Sequence, residues 1–376
     1  MAKIRNVLHA ASHPVQWYRG RSVRHTPKNL FLFLTNLCNL HCEHCFYHFE
    51  LNRKAKEITL EQIGKLARSF TRPTFVCLTG GEVTLRKDLT DAAFVLADSG
   101  KVGFINVCTN GFYQDRLESF AEQLLGSGRL PRLGFQISLD GLEEMHNAVR
   151  KHPAAFSRAM ESLRYLKELK LRYADRLEYS ALAVITRHNF DQAIDLLHAT
   201  QKENIPLGFS IVRGASDVFN LSLTAASGFD VKDQVATLGV GVDEFRRKID
   251  EIYSTKERYG YSYPGDTDLR KFRVILDTLQ YRRRMIPCDA GSDDGVIYPN
   301  GDVGHCETTR PFANLGDFDY NLQALWHSEA ADAMRRKITS CACTHACNII
   351  NSLCARPEVY SLDAGAPVRL TAGADR

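Results

Sequence analysis

Three cysteines and three histidines lie within one stretch of twelve residues near the start of the chain. This stretch, residues 37–48, reads LCNLHCEHCFYH. Cys38, Cys42 and Cys45 have the spacing C-x3-C-x2-C, and thiolates are ligands for zinc and for iron–sulfur clusters. The stretch therefore predicts a metal centre.

Two kinds of metal centre agree with this spacing. Three thiolates would leave one iron of a four-iron cluster without a protein ligand, so that a substrate could bind there. A structural zinc site instead needs four ligands, and a neighbouring histidine could supply the fourth. The candidates are His41, His44 and His48. The spacing alone leaves both interpretations open.

A second group of cysteines lies near the end of the chain. Its members are Cys288, Cys306, Cys341, Cys343, Cys347 and Cys354. The chain has 11 cysteines, and because cytoplasmic thiol pools keep structural disulfides reduced, metal or redox chemistry is the better interpretation. Cys77 and Cys108 lie in apolar, strand-like runs and are predicted to be buried small hydrophobic side chains.

Composition and charge exclude several classes of protein. The net charge of +4 is too small to indicate nucleic-acid binding. No apolar run approaches the roughly 20 residues of a membrane helix, and the N-terminus lacks a secretory signal, so we expect a cytoplasmic protein without a transmembrane segment. Residues 1–28 carry six basic and no acidic residues. We interpret them as a basic arm packed on the domain, the alternative being contact with an anionic surface.

Short strands alternating with helices must position these residues. Strand-like apolar runs occur at residues 29–36, 74–81, 102–111, 132–141, 178–189 and 206–214. This alternation predicts an α/β fold with a parallel sheet. The first four runs end in TNLC, TGGE, CTNG and SLDG, and ligands sit at the C-terminal ends of parallel strands. We therefore expect these four motifs to share one face.

The stretch CNLHCEHC after the first strand resembles the signature of the radical S-adenosylmethionine (radical SAM) superfamily. The resemblance spans about residues 29–214 and implies a partial (β/α)6 TIM-like barrel. It also implies that Cys38, Cys42 and Cys45 hold a [4Fe–4S] cluster whose open iron binds the amine and carboxylate of S-adenosylmethionine. His44 takes a position that is usually aromatic and packs beside the adenine.

The motif TGGE resembles the GGE motif of the same superfamily. The resemblance implies that Gly80, Gly81 and Glu82 bind the methionine amine; two glycines allow close approach of backbone, and a carboxylate accepts hydrogen bonds from an ammonium group. CTNG places Thr109 and Asn110 at the same rim of the barrel.

Further cofactor contacts are implied by the fourth and sixth strands. In SLDG, Ser138 and Asp140 would face the ribose, and Arg150 would reach the carboxylate of the cofactor through paired hydrogen bonds. The sixth strand of the family carries an apolar residue against the adenine, for which Ile211 is the candidate.

The C-terminal cysteines resemble the auxiliary iron–sulfur domains called SPASM or twitch. Cys288, Gly301 and Cys306 read C-x12-G-x4-C, which fits that family, whereas the later spacing C-x1-C-x3-C-x6-C departs from it. We expect one auxiliary [4Fe–4S] cluster held by Cys288, Cys306 and two of Cys341, Cys343 and Cys347. Zinc is the alternative. Cys354, His305 and His345 are left unassigned.

These patterns divide the chain into five segments. They are a basic arm (1–28), the radical SAM partial barrel (29–214), an insert and helical linker (215–286), a small C-terminal cysteine-rich auxiliary-cluster domain (287–355) and a loose tail (356–376). Because only about 28 residues precede the first strand, we expect no fused leader-peptide domain at that end.

The resemblance implies an enzyme that cleaves S-adenosylmethionine to a 5′-deoxyadenosyl radical and abstracts a hydrogen atom from a substrate. The expected substrate is a side chain of a ribosomally made peptide or protein; the alternative is a small molecule such as a carbohydrate or lipid precursor. A flavodoxin- or ferredoxin-type protein would donate the electron. A non-catalytic metal-binding module is the remaining alternative.

Overall fold

Six parallel strands form the centre of the molecule, for which a computed structural model describes residues 25–54, 56–212, 239–260, 267–338 and 343–360. The strands are β1 (Asn29–Phe33), β2 (Thr74–Thr79), β3 (Val102–Thr109), β4 (Arg132–Ser138), β5 (Leu177–Ile185) and β6 (Leu207–Ile211). Each pairs in parallel with the next, and β6 ends the sheet on one side. The predicted α/β partial barrel is confirmed.

Helices connect these strands and cover one face of the sheet. In chain order they are α1 (Leu60–Arg68), α2 (Leu89–Ala97), α3 (Gln114–Ser127), α4 (Glu143–Arg150), α5 (Ala155–Tyr173) and α6 (Ala193–Lys202). Helix α1 begins with a reciprocal cap, in which Gln62 N–H donates to the Thr59 side chain and Thr59 N–H donates to Gln62 Oε1. This reciprocal cap satisfies two backbone donors that the first turn leaves free.

Alternate strand residues face opposite sides of the sheet. Val76, Leu78, Ile105 and Val107 are at most 1% exposed and belong to the core between sheet and helices. The opposite, inner face is more polar and mostly half-buried in the middle strands. The sequence therefore forms an apolar core on one side and an accessible inner face on the other.

The C-terminal cysteine-rich region extends the same sheet. Strand β7 (Asp294–Ile297) pairs in parallel with β1, and β8 (Asp302–Gly304) and β9 (Ala313–Asn314) follow in antiparallel order. Gly301, at a φ of +88°, occupies the turn between β7 and β8. Helices α9 (Leu322–Trp326), α10 (Glu329–Lys337) and α11 (Ala346–Ala355) complete this region.

Two helices precede this region, α7 (Val242–Arg258) and α8 (Thr267–Tyr281). Lys271 on α8 is buried and donates to the Phe209 carbonyl of β6, which attaches the helix to the sheet edge. Residues 215–238 of the predicted insert, most of the basic arm and most of the tail lie outside the described residues.

Candidate functional site

The loop after β1 carries Cys38, Cys42 and Cys45, and all three side chains are partly exposed. Asn52 fixes the loop: its Oδ1 accepts from Cys38 N–H at 3.0 Å, and its Nδ2 donates to Cys38 O at 3.1 Å. Burial raises the pKa of the Cys38 thiol to about 12, so a cationic ligand is needed to hold it as a thiolate. The sequence does not indicate a role for Asn52, because it lies 14 residues from Cys38 and no motif connects them.

Gly80 and Gly81 let the cysteine loop lie directly on the end of β2. Gly81 N–H donates to Thr35 O at 2.8 Å, and Glu82 N–H donates to Leu37 O at 2.6 Å. A Cβ on Gly81 would stand 2.3 Å from Leu37 O, and Gly80 has a φ of +149°. In the structure, the close approach that the glycines permit is thus made by the cysteine loop itself.

Glu82 joins the ends of β2 and β3. Its Oε1 accepts from Thr109 Oγ1 at 2.6 Å and from the Thr84 backbone and hydroxyl. Its Oε2 accepts from Asn110 N–H at 2.7 Å, and Asn110 Nδ2 donates to Asn39 Oδ1 at 2.9 Å. TGGE and CTNG therefore meet as expected. Oε2, with one protein donor, retains capacity for a second.

Arg150 at the end of α4 connects the fourth-strand motif to the cysteine loop. Its NH2 lies 2.7 Å from Asp140 Oδ2, and its NH1 donates to Cys42 Sγ at 3.4 Å. Burial favours the neutral acid, but Arg150 and then His44 lower the pKa of Asp140 below its ordinary value. The carboxylate of Asp140 is fully buried and accepts from Val184 N–H. In the structure its contacts are with these protein groups, and the ribose contact that the resemblance implies stays a prediction.

Three buried nitrogens near this loop have no hydrogen-bond partner among the described residues. They are Asn39 Nδ2, His44 Nδ1 and Arg150 Nε. Buried donors are rarely left unsatisfied, because each costs free energy, so a bound group with acceptor atoms would fit here. Asn39, between Cys38 and Cys42, was missed by the sequence interpretation; only its position in the C-x3-C spacing could have indicated it.

Ile211 and Ser138 lie on opposite faces of the sheet. Ile211 is 3% exposed, belongs to the core under the helices and pairs in register with Ile185. Ser138 ends β4 on the inner face, half-buried. Strand alternation gives Ser210, not Ile211, the inner position on β6.

The second cysteine group gathers around Cys288. Burial, followed by the charges of Cys343 and Cys306, raises the pKa of the Cys288 thiol well above its ordinary value. Cys288 and Cys343 line one cavity together with Asn348. Asn348 Nδ2 donates to Cys306 Sγ at 3.2 Å. Cys341 lies outside the described residues, and Cys354, at the end of α11, is exposed.

The two unassigned histidines have structural contacts. His345 Nε2 pairs with Glu307 Oε2 at 2.6 Å, with both side chains almost fully buried, and His345 Nδ1 caps α11. His305 contacts Ala331 O at 2.9 Å, and burial lowers its pKa to about 3. In the described ranges, no three His, Cys, Asp or Glu side chains are grouped as ligands of a single metal ion.

Within the part of the chain that the structure describes, no helix is both long and apolar enough to cross a bilayer.

Two family models match the chain. Residues 32–199 match the radical SAM superfamily, and residues 288–348 match SPASM, an iron–sulfur cluster-binding domain. Fe-coproporphyrin III synthase of Methanosarcina barkeri is 29% identical over 202 residues, which cover 50% of this chain and 47% of that protein. PqqA peptide cyclase of Bradyrhizobium diazoefficiens is 28% identical over 176 residues, covering 46% and 42%. The chain spans about half the length of these curated relatives.

A solved structure resembles the whole fold. SuiB of Streptococcus suis, bound to precursor peptide SuiA, aligns with a TM-score of 0.58 at 16% identity, covering 88% of this chain and 72% of that one. At this identity the likeness shows the fold alone.

The residues described above fit the cofactors of the matched superfamily, a [4Fe–4S] cluster and S-adenosylmethionine. Cys38, Cys42 and Cys45 offer three thiols, and the unsatisfied Asn39 and Arg150 nitrogens offer donors to a carboxylate. The group around Cys288 offers thiols for an auxiliary cluster.

Proposed function

We propose that this chain cleaves S-adenosylmethionine reductively and removes a hydrogen atom from a peptide side chain, because residues 32–199 match the radical SAM superfamily and residues 288–348 match the SPASM iron–sulfur domain. The observation that carries this proposal is the convergence of the cysteine loop, Glu82 and Arg150 at the C-terminal ends of β1, β2 and β4. Loops at this edge are where parallel α/β folds bind their ligands.

The cofactors supply one-electron cleavage and hydrogen-atom abstraction when bound. Around them, Cys38, Cys42 and Cys45 would hold three irons and leave the fourth open. Glu82 Oε2 would accept a hydrogen bond from the methionine amine, and Arg150 Nε would donate to its carboxylate. These roles use bonding capacity that the protein itself leaves unfilled.

The inner face of the sheet would hold the substrate. Phe75 and Phe104 contact each other edge to face there with ring centroids 5.0 Å apart, and Ser138 ends β4 on the same face. Aromatic walls exclude water from a reacting centre, and a hydroxyl at the rim can orient a polar substrate group.

A peptide substrate is supported by two of the comparisons. The name of PqqA peptide cyclase describes a peptide substrate, and SuiB is bound to precursor peptide SuiA. Fe-coproporphyrin III synthase supports the second candidate, a small-molecule substrate, because its named product is not a peptide. We further propose a flavodoxin- or ferredoxin-type electron donor and, because a chain with 11 cysteines suits a reducing compartment, a cytoplasmic location.

The experiment is a substrate comparison with the loaded, anaerobic enzyme. Short peptides encoded beside the gene and a panel of small molecules that includes a porphyrin precursor are each added with S-adenosylmethionine and reductant. We expect 5′-deoxyadenosine formation to rise with a peptide, together with a loss of hydrogen mass from that peptide. A rise with small molecules alone would overturn the peptide assignment and support the second candidate.

A further inference from the structure

Cys77 and Cys108, which the sequence suggested were simple hydrophobic side chains, meet on the inner face of the sheet. Their Sγ atoms are 3.5 Å apart, across the neighbouring strands β2 and β3. Cys77 pairs in register with Asn106, so Cys108 lies two residues further along the same face. Cys77 is 4% exposed, whereas Cys108 is only partly buried.

Carboxamides surround the two sulfur atoms. Asn106 Nδ2 lies 3.8 Å from Cys77 Sγ and 3.6 Å from Cys108 Sγ, and Cys108 donates to Gln136 Oε1 at 3.6 Å. Gly134 makes room for this arrangement, because a Cβ there would stand 2.6 Å from Asn106 Oδ1. Two thiols that only filled core volume would be lined by apolar groups instead.

We propose that Cys77 and Cys108 are a redox-active dithiol, which exchanges with a low-molecular-weight disulfide such as oxidised glutathione. The Cys108 thiolate attacks one sulfur of the disulfide, RSSR, and forms a mixed disulfide with release of RS⁻. Cys77 then loses its proton, displaces the second RS⁻ and forms the Cys77–Cys108 bond. In sum, two protein thiols and one RSSR give one protein disulfide and two RSH.

The structure favours this order of attack. Cys108 is the more exposed residue, and Asn106 Nδ2 lies slightly closer to Cys108 Sγ, at 3.6 Å, than to Cys77 Sγ, at 3.8 Å. The hydrogen bond with Cys108, and then burial, raise the pKa of Cys77, so Cys77 stays protonated until the second step. The sulfur atoms must approach by about 1.4 Å to reach disulfide length, a distance within side-chain rotation.

The dithiol would hold two electrons and two protons at the inner face of the barrel. The pair would add a second redox group to this face.

The test uses the anaerobic holoenzyme, equilibrated in buffers of defined glutathione disulfide-to-thiol ratio, trapped with N-ethylmaleimide and digested with trypsin. The two cysteines fall in separate tryptic peptides, residues 69–86 and 102–116, each with no other cysteine. We expect the disulfide-linked pair of peptides to form in the folded protein at a lower glutathione disulfide-to-thiol ratio than in the urea-unfolded chain. The difference should be about tenfold or more.

Variants provide the controls. Cys77→Ser should give only a glutathione adduct on peptide 102–116, and Cys354→Ser should leave the linked peptides unchanged. Asn106→Leu should slow adduct formation on Cys108 about tenfold, because it removes the donor to the thiolate. Absence of the linked peptides at every ratio, or formation no easier than in the unfolded chain, would overturn the proposal. Neither result depends on cleavage of S-adenosylmethionine.

Discussion

The guanidinium of Arg150 lies between the Asp140 carboxylate and the Cys42 thiol, at 2.7 and 3.4 Å. Glu43 N–H also donates to Val149 O at 2.9 Å, so α4 holds the cysteine loop by both side chain and backbone. Because this ion pair is buried, removal of either charge would leave the other buried without compensation.

Arg150→Met should destabilise the protein strongly, because it leaves the fully buried Asp140 carboxylate without its cation. Removing one member of a buried pair costs about 3 to 5 kcal/mol. The control is Arg129→Met, which breaks the exposed pair with Asp98 and should cost about 1 kcal/mol or less. Urea unfolding measures both, and equal losses would contradict the assigned role of the pair.

Gly81→Ala should prevent assembly of the first cluster. The new Cβ would stand 2.3 Å from Leu37 O, so the cysteine loop must move away from β2. Gly103→Ala is the matched control, because a Cβ on Gly103 meets no atom within 4 Å. Iron and acid-labile sulfide are measured after reconstitution. Normal loading of Gly81→Ala would show that the loop does not need this contact.

Thr109→Val should weaken binding of S-adenosylmethionine. The hydroxyl donates to Glu82 at 2.6 Å in a buried site, and a hydrogen bond to a charged group contributes about 1.5 to 3 kcal/mol. Loss of Glu82 orientation predicts about a tenfold rise in Kd, measured by equilibrium dialysis. Thr200→Val removes a buried hydroxyl far along the chain on α6 and should leave Kd unchanged. Equal Kd values for the wild type and Thr109→Val would show that Thr109 does not contribute to binding of S-adenosylmethionine.

Asp294 lies where the auxiliary region joins β1, and it should make the free energy of unfolding depend on pH. Burial raises its pKa from 3.8 to about 8, despite hydrogen bonds from Asn29 and Asn351. Between these values the folded carboxyl keeps its proton while the unfolded one ionises, so stability falls as pH rises, by up to about 1.4 kcal/mol per unit. Asp294→Asn should flatten that slope in urea unfolding from pH 5 to 8. An unchanged slope would contradict the shifted pKa.

The sequence could predict the meeting of TGGE with CTNG, because both follow strands of one parallel sheet. It could not place Ile211, since a one-residue change of register moves a side chain to the other face. Motif positions indicated Asp140 and Arg150. Cys42, which accepts a hydrogen bond from Arg150, lies 108 residues away from it, and no local signal links the two. Likewise, no local signal links β7 with β1, although Asp294 of β7 pairs with Asn29 from the opposite end of the chain.

The central claim is tested most directly by 5′-deoxyadenosine formation. Wild-type, Cys42→Ala and Cys354→Ala proteins are reconstituted anaerobically, checked for iron and sulfide, and incubated with S-adenosylmethionine and dithionite. We predict 5′-deoxyadenosine from the wild type and Cys354→Ala, and none from Cys42→Ala. A fully loaded wild type that forms none, or a Cys42→Ala variant that forms as much as the wild type, would contradict the proposed function.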